Sequence, residues 1–384
     1  MTAVKKKKIV ILGSTGSIGE NVVKVAKNLS SRIEVCGLAA RNNLKRLAEQ
    51  AAELNCPYAV TSDASRESDL LKMLPPGCKG KAGEEYILEM VTRPEVDLVL
   101  CAIVGTGGLL PVLEAIRAGK EIALASKEVL VMAGDLVMKE AARYGVRIVP
   151  VDSEHSAIFQ CLDGKRKQDV SRLILTCSGG PLLNASNEEI KHATYAKALD
   201  HPTWNMGPKV TIDSASLMNK ALEIIEAGFL FGMPGDRIDV VIHPQSVIHS
   251  MVEFIDGTIL AQMSTPDMRF PIQYAITYPE KYSGGMKPLD FSVFSQLNFQ
   301  MPDRKRFPSL DFAYSALHAG GTMPAVMNAA NEVAVERFRR SEIEFPGIWS
   351  IIEKVMSKHK VLEQPTLDAI LSVDKWARDA ALKI

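Results

Sequence analysis

Short apolar runs alternate with amphipathic stretches over the first 150 residues of this 384-residue chain. Apolar residues recur at helical spacing between the runs, as in Leu44–Leu54 and Leu110–Ala118. The runs have the length and composition of buried strands, and they cover Ile9–Leu12, Ile33–Leu38, Tyr58–Val60, Leu98–Ala102, Ile122–Ala125 and Ile148–Val151. This alternation predicts an α/β fold that begins with a Rossmann-type, doubly wound parallel sheet over residues 1–151.

The pattern changes in the middle of the chain. Leu173–Thr176 has the composition of a strand, and Ser246–Phe254 and Thr258–Gln262 flank Asp256-Gly257, a strong hairpin signal. An antiparallel pair predicts a central α+β domain over residues 152–285. The segment 278–308 is rich in Pro, Gly and polar residues, so we expect a linker at 286–309 and a helical C-terminal domain at 310–384.

Charge and cysteine usage narrow the class of protein. Lysine plus arginine equal aspartate plus glutamate at 45 each, so nothing favours nucleic acid or a membrane surface as partner. The basic run Lys5–Lys8 is short and is interpreted as a solvated leader. No apolar run reaches the roughly 18 residues of a membrane span. The six cysteines form no C-x-x-C pair, which favours a reducing compartment, and we expect a cytoplasmic protein.

A glycine-rich turn follows the first predicted strand. Gly13, Gly16 and Gly19 open a helix, where glycines permit a tight turn and the helix N-terminus favours a pyrophosphate. The spacing is G-x-x-G-x-x-G rather than G-x-G-x-x-G, so the usual dinucleotide fingerprint is only partly met. Strand, turn and helix together favour dinucleotide binding over the alternative, a turn with no ligand.

The end of the second strand distinguishes between the nicotinamide cofactors. An NAD site places an acid there to hold the ribose hydroxyls, whereas this strand ends in Ala40-Arg41-Asn42-Asn43. Arg41 can pair with a 2′-phosphate and the asparagines can donate to it, so NADPH is favoured. The alternative is an exposed Arg beside an ordinary helix-start Asn.

Two acids one residue apart, Asp152 and Glu154, follow the sixth apolar run. In an extended segment they would project to one face, and two like charges this close need a positive group between them. Together with Glu223 they offer only oxygen ligands, which suits Mg²⁺ or Mn²⁺ better than Zn²⁺. The alternatives are a solvated turn or N-cap for the pair, and a solvated helix face for Glu223.

The stretch Asp213–Glu226 has a helical pattern, which places Asn219, Glu223 and Glu226 on one stripe at i, i+4 and i+7. Ser214 would lie near the helix start, where backbone N–H groups are available. A phosphate pocket is predicted, with a capped surface helix as the alternative. Its members would be Ser178, Ser214, Asn219 and Lys220.

Two further segments are candidates for the site. Ser126, Lys127 and Glu128 close a strand at the carboxyl edge of the sheet, where Lys127 could polarise a substrate oxygen. The alternative is a surface Lys–Glu pair. The loop from His201 to Gly207 carries Trp204 and Met206 and could close over a ligand, or simply pack Trp204 in the core.

Taken together, these motifs resemble the 1-deoxy-D-xylulose 5-phosphate reductoisomerase family over essentially the whole chain. The matching segments are GSTGSIG, AIVGTGGLLP, SKE, PVDSEHSAIFQ, SGGP, HPTWNMG, DSASLMNKALEIIEA, HPQSVIHSMVE and PDMR. The resemblance implies an NADPH-binding Rossmann domain, a catalytic α/β domain, a linker and a C-terminal helical domain, in a homodimer. Ser126, Cys177 and Arg41 stand where that family often has Asn, Gly and Gly.

The resemblance also implies roles for individual residues. Metal ligands would be Asp152, Glu154 and Glu223, and Mg²⁺, Mn²⁺ and Co²⁺ are the candidate ions. Cofactor contacts would be Thr15, Gly16, Ser17, Ile18, Arg41, Asn42, Asn43, Ser126, Glu128 and Gly207. Substrate contacts would be Lys127, Ser153, Ser178, His201, Trp204, Ser214, Asn219, Lys220 and Glu223, with Trp204 and Met206 in a flexible lid. Catalytic residues would be Lys127, Glu154, His201 and Glu226.

The implied reaction converts 1-deoxy-D-xylulose 5-phosphate to 2-C-methyl-D-erythritol 4-phosphate in non-mevalonate isoprenoid precursor biosynthesis. The implied steps are a metal-assisted retro-aldol and aldol rearrangement, followed by hydride transfer from NADPH. Lys127, His201 and Glu226 are all open as the group that moves a proton. Two rivals remain at this stage, a plain NADPH-dependent sugar-phosphate dehydrogenase and a dinucleotide-sensing regulator without catalysis.

Overall fold

The structure, a computed structural model, describes residues 5–204 and 206–384. The strands are β1 (Lys7–Leu12), β2 (Ile33–Ala40), β3 (Tyr58–Thr61), β4 (Lys79–Ala82), β5 (Leu98–Cys101), β6 (Glu121–Leu124), β7 (Ile148–Pro150), β8 (Val170–Cys177), β9 (Ile238–Ile242), β10 (Ile248–Phe254) and β11 (Ile259–Met263). The helices are α1 (Ser17–Asn28), α2 (Leu44–Glu53), α3 (Glu67–Met73), α4 (Glu84–Thr92), α5 (Leu109–Arg117), α6 (Lys127–Tyr144), α7 (Ser153–Leu162), α8 (Asn187–Lys191), α9 (Tyr195–Leu199), α10 (Pro208–Ser216), α11 (Met218–Phe231), α12 (Arg269–Thr277), α13 (Ser309–Ala319), α14 (Met323–Arg339), α15 (Gly347–Lys358) and α16 (Leu367–Leu382).

The chain folds as two compact units. The first comprises residues up to Val129 together with Val137–Ser156 and Asp267–Lys287, and the second comprises Leu130–Leu136, Ala157–Pro266 and Pro288–Ile384. The boundaries at 151, 285 and 309 stay predictions, because a two-unit division does not test them.

The first unit is built on a seven-stranded parallel sheet in the order β4-β3-β2-β1-β5-β6-β7. The predicted doubly wound sheet is therefore confirmed. The strand order reverses between β1 and β5, which makes this the topological switch point of the sheet. In such sheets ligands bind beyond the carboxyl ends of the strands at that point. All six predicted strands are present. β4 escaped prediction because Lys79-Gly80-Lys81-Ala82 has no apolar run.

The second unit contains a four-stranded mixed sheet in the order β11-β10-β8-β9. β10 is antiparallel to both β8 and β11, and β8 is parallel to β9. The predicted hairpin at Asp256-Gly257 joins β10 to β11. Buried apolar residues of β8, α11, α13, α14 and α15 form one core. The C-terminal helices α13–α16 confirm the predicted helical region. In the segment that connects α12 to α13, Gln300 is the one residue with a regular strand pairing, an antiparallel bridge to Ile242 of β9.

Candidate active site

The turn between β1 and α1 explains the unusual glycine spacing. Gly13 has φ +80°, and a Cβ there would lie 2.5 Å from the carbonyl oxygen of Ala102 at the end of β5. A Cβ on Gly19 would overlap the Ser14 carbonyl. Gly16 is the N-cap of α1, and no side chain caps that helix. Gly16 N–H already donates to the Gly13 carbonyl at 3.1 Å. The N–H groups of Ser17 and Ile18 lie in the first turn of α1, where they have no partner within the helix. The turn from Thr15 to Ile18 therefore offers a suitable anion site beside the topological switch point of the sheet.

Two arginines lie near the end of β2: Arg41 directly follows this strand, and Arg66 comes from the segment that follows β3. Arg41, Asn42 and Asn43 are all exposed there. Asn43 Oδ1 accepts from the backbone N–H of Arg46 at 3.1 Å, so this asparagine caps α2 and keeps its amide nitrogen for other partners. Arg66, which sequence analysis missed, donates from Nη1 to the Asn42 carbonyl at 2.8 Å. A lone arginine in a polar stretch gives no signal of this proximity, which depends on the pairing of β2 with β3.

Ser126 and Glu128 are buried where β6 leads into α6. The Ser126 hydroxyl donates to the Ile103 carbonyl and lies 3.7 Å from Cys101 Sγ. Ser126 thereby joins the end of β6 to the end of β5. We conclude that the Ser126 side chain stabilises the ends of these two strands. The family that the chain resembles often has Asn at this position.

The acid pair is placed differently from the prediction. Asp152 precedes α7, and Glu154 lies in the first turn of that helix, so the segment is not extended and the argument from alternating strand faces was wrong. Lys127 Nζ lies 2.5 Å from Asp152 Oδ2, and the Ser153 hydroxyl donates to Glu154 Oε2 at 2.5 Å. The side chain of Asp152 is only 15% exposed. An ammonium group thus offsets the negative charge of this acid pair.

The predicted helix 213–226 is broken at Leu217, and the prediction of one continuous helix was wrong. Leu217 has φ +61°, which ends α10 at Ser216 and starts α11 at Met218. Ser214 therefore lies in the last turn of α10 rather than near a helix start. Asn219 and Lys220 instead occupy the first turn of α11, and the stripe of Asn219, Glu223 and Glu226 is retained within α11.

Glu223 is the most deeply buried of the acids, with a fully buried side chain. Asn219 Nδ2 donates to its Oε1 at 2.6 Å, and Lys220 Nζ donates to its Oε2. Lys220 also donates to the Thr176 carbonyl at 2.5 Å and is itself 3% exposed. Such a buried charge pair is costly to break on one side only. Glu226, one turn further along α11, is 1% exposed.

His201 and Ser178 contact each other in the second unit. His201 Nδ1 accepts backbone N–H groups of Thr203 at 3.1 Å and Trp204 at 2.9 Å, so Nε2 carries the proton and donates to Ser178 Oγ at 2.9 Å. Gly180 N–H also donates to that oxygen, at 3.2 Å. Two incoming donors leave the Ser178 hydroxyl proton for an acceptor such as a phosphate oxygen.

The loop that follows His201 remains a predicted lid. Trp204 is half-buried, with its ring centroid 6.4 Å from that of His249. Met206 is also half-buried, and Gly207 is the exposed N-cap of α10. The backbone hydrogen bonds to His201 Nδ1 tie the first half of the loop to the Ser178 contact.

We expect the stabilising contribution of His201 to depend on pH. Burial lowers the pKa of His201 below its ordinary value of 6.5, and the two N–H donors at Nδ1 act in the same direction. The neutral ring therefore stabilises the fold fully above pH 6.5, and this contribution is lost as the pH falls through the lower pKa of the folded protein.

Comparing wild type with His201→Asn measures this contribution, because Asn keeps an acceptor for the two N–H groups and does not titrate. The difference in free energy of unfolding between the two proteins should be constant above pH 6.5 and shrink below it. A difference that stays constant down to pH 5, or grows on acidification, would contradict the assigned ring state.

No helix of the described residues is both long enough and apolar enough to cross a membrane.

Comparison with known proteins gives a consistent result along the chain. The family profile described as 1-deoxy-D-xylulose 5-phosphate reductoisomerase matches residues 9–134, that of its C-terminal domain matches residues 148–231, and a further DXP reductoisomerase C-terminal domain matches residues 263–380. The reductoisomerase of Thermodesulfovibrio yellowstonii is 47% identical over 377 residues, covering 98% of this chain and 99% of that protein. That of Symbiobacterium thermophilum is 50% identical over 385 residues, covering 98% of each.

Solved structures agree with the sequence relatives. The 1-deoxy-D-xylulose 5-phosphate reductoisomerase from Zymomonas mobilis in complex with NADPH matches with a TM-score of 0.93 at 40% identity, covering 99% of each chain. A DOX-P reductoisomerase in complex with NADPH, fosmidomycin and magnesium matches with a TM-score of 0.92 at 37% identity, covering 98% of each chain.

Proposed function

Because the chain belongs to the 1-deoxy-D-xylulose 5-phosphate reductoisomerase family, we propose that it converts 1-deoxy-D-xylulose 5-phosphate to 2-C-methyl-D-erythritol 4-phosphate. The reaction uses NADPH and a divalent metal ion and belongs to isoprenoid precursor biosynthesis. The observation that carries the proposal is 47% identity spanning 98% of this chain and 99% of a curated reductoisomerase. A relative that covered only the Rossmann unit would have supported the dehydrogenase rival equally well.

The first unit is the proposed NADPH-binding part. NADPH, when bound, supplies the hydride. The turn from Thr15 to Ile18 would hold the pyrophosphate with backbone N–H groups, and Arg41 with Asn42 and Asn43 would hold the 2′-phosphate. Arg66, 2.8 Å from the Asn42 carbonyl, adds positive charge at the same place. Ser126, Glu128 and Gly207 are proposed as further cofactor contacts on family resemblance.

We propose Asp152, Glu154 and Glu223 as the metal ligands. Their carboxylate oxygens suit a hard divalent cation, and Mg²⁺ is the ion named for a solved relative. When bound, such an ion polarises the ketone oxygen of the substrate. Within their own units Lys127 offsets the charge of Asp152 and Lys220 that of Glu223, so each acid is held beside a positive group. Mn²⁺ and Co²⁺ are proposed as alternative ions that the same oxygen set accepts.

Ser178, Ser214, Asn219 and Lys220 are the proposed phosphate ligands. Lys220 supplies the positive charge and Ser178 a hydroxyl proton that His201 leaves available. We propose that His201 holds Ser178 in this state, which leaves Lys127 and Glu226 as candidates for proton transfer. Ser153 and Trp204 complete the proposed substrate contacts.

We propose a homodimer that forms through β11. This strand is an edge strand of its sheet. Its Ile259 and Leu260 are 48% and 41% exposed, and Ile255, which follows β10, is 71% exposed. Exposed apolar edge strands are prone to pair with a strand of another molecule. A second copy offers the same strand, so two copies can pair through their backbone groups about a two-fold axis, which also brings the exposed apolar side chains of the two strands together.

Light scattering should therefore give twice the 41.9 kDa mass of one chain, and Leu260→Glu should lower that mass to one chain, because it places two like charges in the paired strands. Leu371→Glu, on α16 at 46% exposure, is the matched control and should remain dimeric. A monomeric wild type, or equal behaviour of both variants, would exclude pairing through β11.

The cysteines support a cytoplasmic location as part of the proposal. All six are free thiols, and five of them are buried. This usage suits a reducing compartment. Burial also raises the pKa of Cys36 and Cys161 to about 11, which keeps these thiols protonated and unreactive.

Metal dependence tests the proposed function. When purified protein is mixed with NADPH, Mg²⁺ and 1-deoxy-D-xylulose 5-phosphate, the NADPH absorbance should fall. A chelator should stop this oxidation, and fresh Mg²⁺ should restart it. Turnover that continues in the presence of the chelator would favour the plain dehydrogenase. Bound NADPH with no turnover under any metal would favour the regulator.

A further inference from the structure

The last turn of α10, which carries Ser214, is anchored by a buried polar pair. Asp213 is 1% exposed and Asn331 on α14 is fully buried. Asn331 Nδ2 donates to Asp213 Oδ1 at 2.9 Å, and Lys209 Nζ lies 2.8 Å from Asp213 Oδ2. A buried carboxylate is tolerated only with such partners, so the pair fixes the position of the helix more narrowly than apolar contact would.

The backbone around Ser214 transmits that position to Ser178. Gly180 has φ +70°, and a Cβ there would overlap the Ser214 carbonyl oxygen. The loop that begins at Ser178 therefore lies backbone to backbone against the last turn of α10. Since Ser178 Oγ also accepts from Gly180 N–H, a small shift of α10 would move both serines.

A second buried contact holds the same helix end. The hydroxyl of Ser309 donates to the Ser216 carbonyl at 2.7 Å, and Trp349 Nε1 lies 2.9 Å from that hydroxyl. Ser216 is the last residue of α10 before the break at Leu217. Residues of α13, α14 and α15 thus all contact α10 where it meets α11.

We propose that Asn331 is a positioning residue for the substrate phosphate, acting through Asp213. It holds the last turn of α10 so that Ser214 and Ser178 meet one phosphate group. The inference rests on the proposed function of these serines. It assigns a role in catalysis to a side chain of the C-terminal helices that touches neither substrate nor cofactor.

Asn328 provides a matched control on the same helix. It is equally buried, and its Nδ2 donates to Glu332 Oε1 at 3.0 Å within α14. Glu332 in turn accepts from Arg378 on α16 at 2.8 Å. Removing Asn328 therefore costs a buried amide and a hydrogen bond of similar length, without loosening α10.

The experiment measures substrate KM, competitive inhibition by inorganic phosphate, NADPH affinity and unfolding for Asn331→Ala and Asn328→Ala. We expect Asn331→Ala to raise KM and the phosphate inhibition constant about tenfold, the effect of one hydrogen bond of ordinary strength, with NADPH affinity unchanged. Asn328→Ala should lose comparable stability with KM and phosphate affinity unchanged. Equal phosphate effects in both variants, or none in Asn331→Ala, would overturn the proposal.

An exchanged pair separates positioning from loss of stability. Asn331→Asp alone places two carboxylates together, whereas Asp213→Asn combined with Asn331→Asp restores a donor and an acceptor. The exchanged pair should recover most of the phosphate affinity that Asn331→Asp loses; failure to recover any would overturn the role. If wild type turns nothing over, the proposed function fails, while calorimetric binding of inorganic phosphate still tests Asn331.

Discussion

Replacing Glu223 by Gln is expected to abolish turnover while NADPH still binds. A metal ion supplies several kcal/mol of transition-state stabilisation, so losing a ligand should lower kcat by roughly 10³-fold or more. Lys220, 3% exposed, would also lose its counter-charge, and breaking a buried pair on one side costs about 3–5 kcal/mol. Steady-state kinetics at saturating Mg²⁺, NADPH binding and chemical denaturation measure these effects.

Glu332→Gln is the matched control for Glu223→Gln. Both glutamates accept a hydrogen bond from an asparagine four residues earlier on their helix and pair with a cation, Lys220 for Glu223 and Arg378 for Glu332. The control should lose some stability and keep its kcat. If Glu223→Gln also keeps wild-type kcat, Glu223 does not bind the metal.

Replacing Lys220 by Met is expected to weaken substrate binding and also to lower stability, because the buried Glu223 loses its cation. Charge-assisted hydrogen bonds contribute about 1.5–3 kcal/mol, so KM and the phosphate inhibition constant should rise by roughly 10–100-fold. NADPH affinity should not change, because the proposed cofactor contacts at Thr15–Ile18 and Arg41–Asn43 lie in the first unit. Kinetics with inorganic phosphate as a competitive inhibitor measure the effect.

Lys120→Met is the control for Lys220→Met. Lys120 is 8% exposed, and its ammonium donates to the Pro94 carbonyl at 3.3 Å in the first unit. This variant should lose stability and leave KM unchanged. A phosphate inhibition constant that stays at the wild-type value in Lys220→Met would remove Lys220 from the pocket.

Local patterns were sufficient to predict most of the fold. Apolar runs located β1, β2, β3, β5, β6 and β7, because buried parallel strands are hydrophobic throughout. β4 was missed since its buried positions are Gly80 and Ala82, which contribute little hydrophobicity. The strand order and the topological switch point between β1 and β5 depend on pairings between distant residues, so only the structure reveals them.

Residue types indicated the chemistry of the site but not its local geometry. Asp152 and Glu154 were recognised from their spacing, although Glu154 lies in a helix and not in a strand. The break at Leu217 could not be predicted, because a leucine with positive φ has no sequence signal. The pairing of Lys127 with Asp152 joins residues 25 apart and follows from the order of β6 and β7 in the sheet.

The carbon skeleton of the product tests the central claim most directly. Protein, NADPH, Mg²⁺ and 1-deoxy-D-xylulose 5-phosphate would be incubated to completion and the product identified by NMR. We predict the branched 2-C-methyl-D-erythritol 4-phosphate, with one NADPH oxidised for each molecule formed. An unbranched reduced sugar phosphate would contradict the account and leave a dehydrogenase that does not rearrange its substrate.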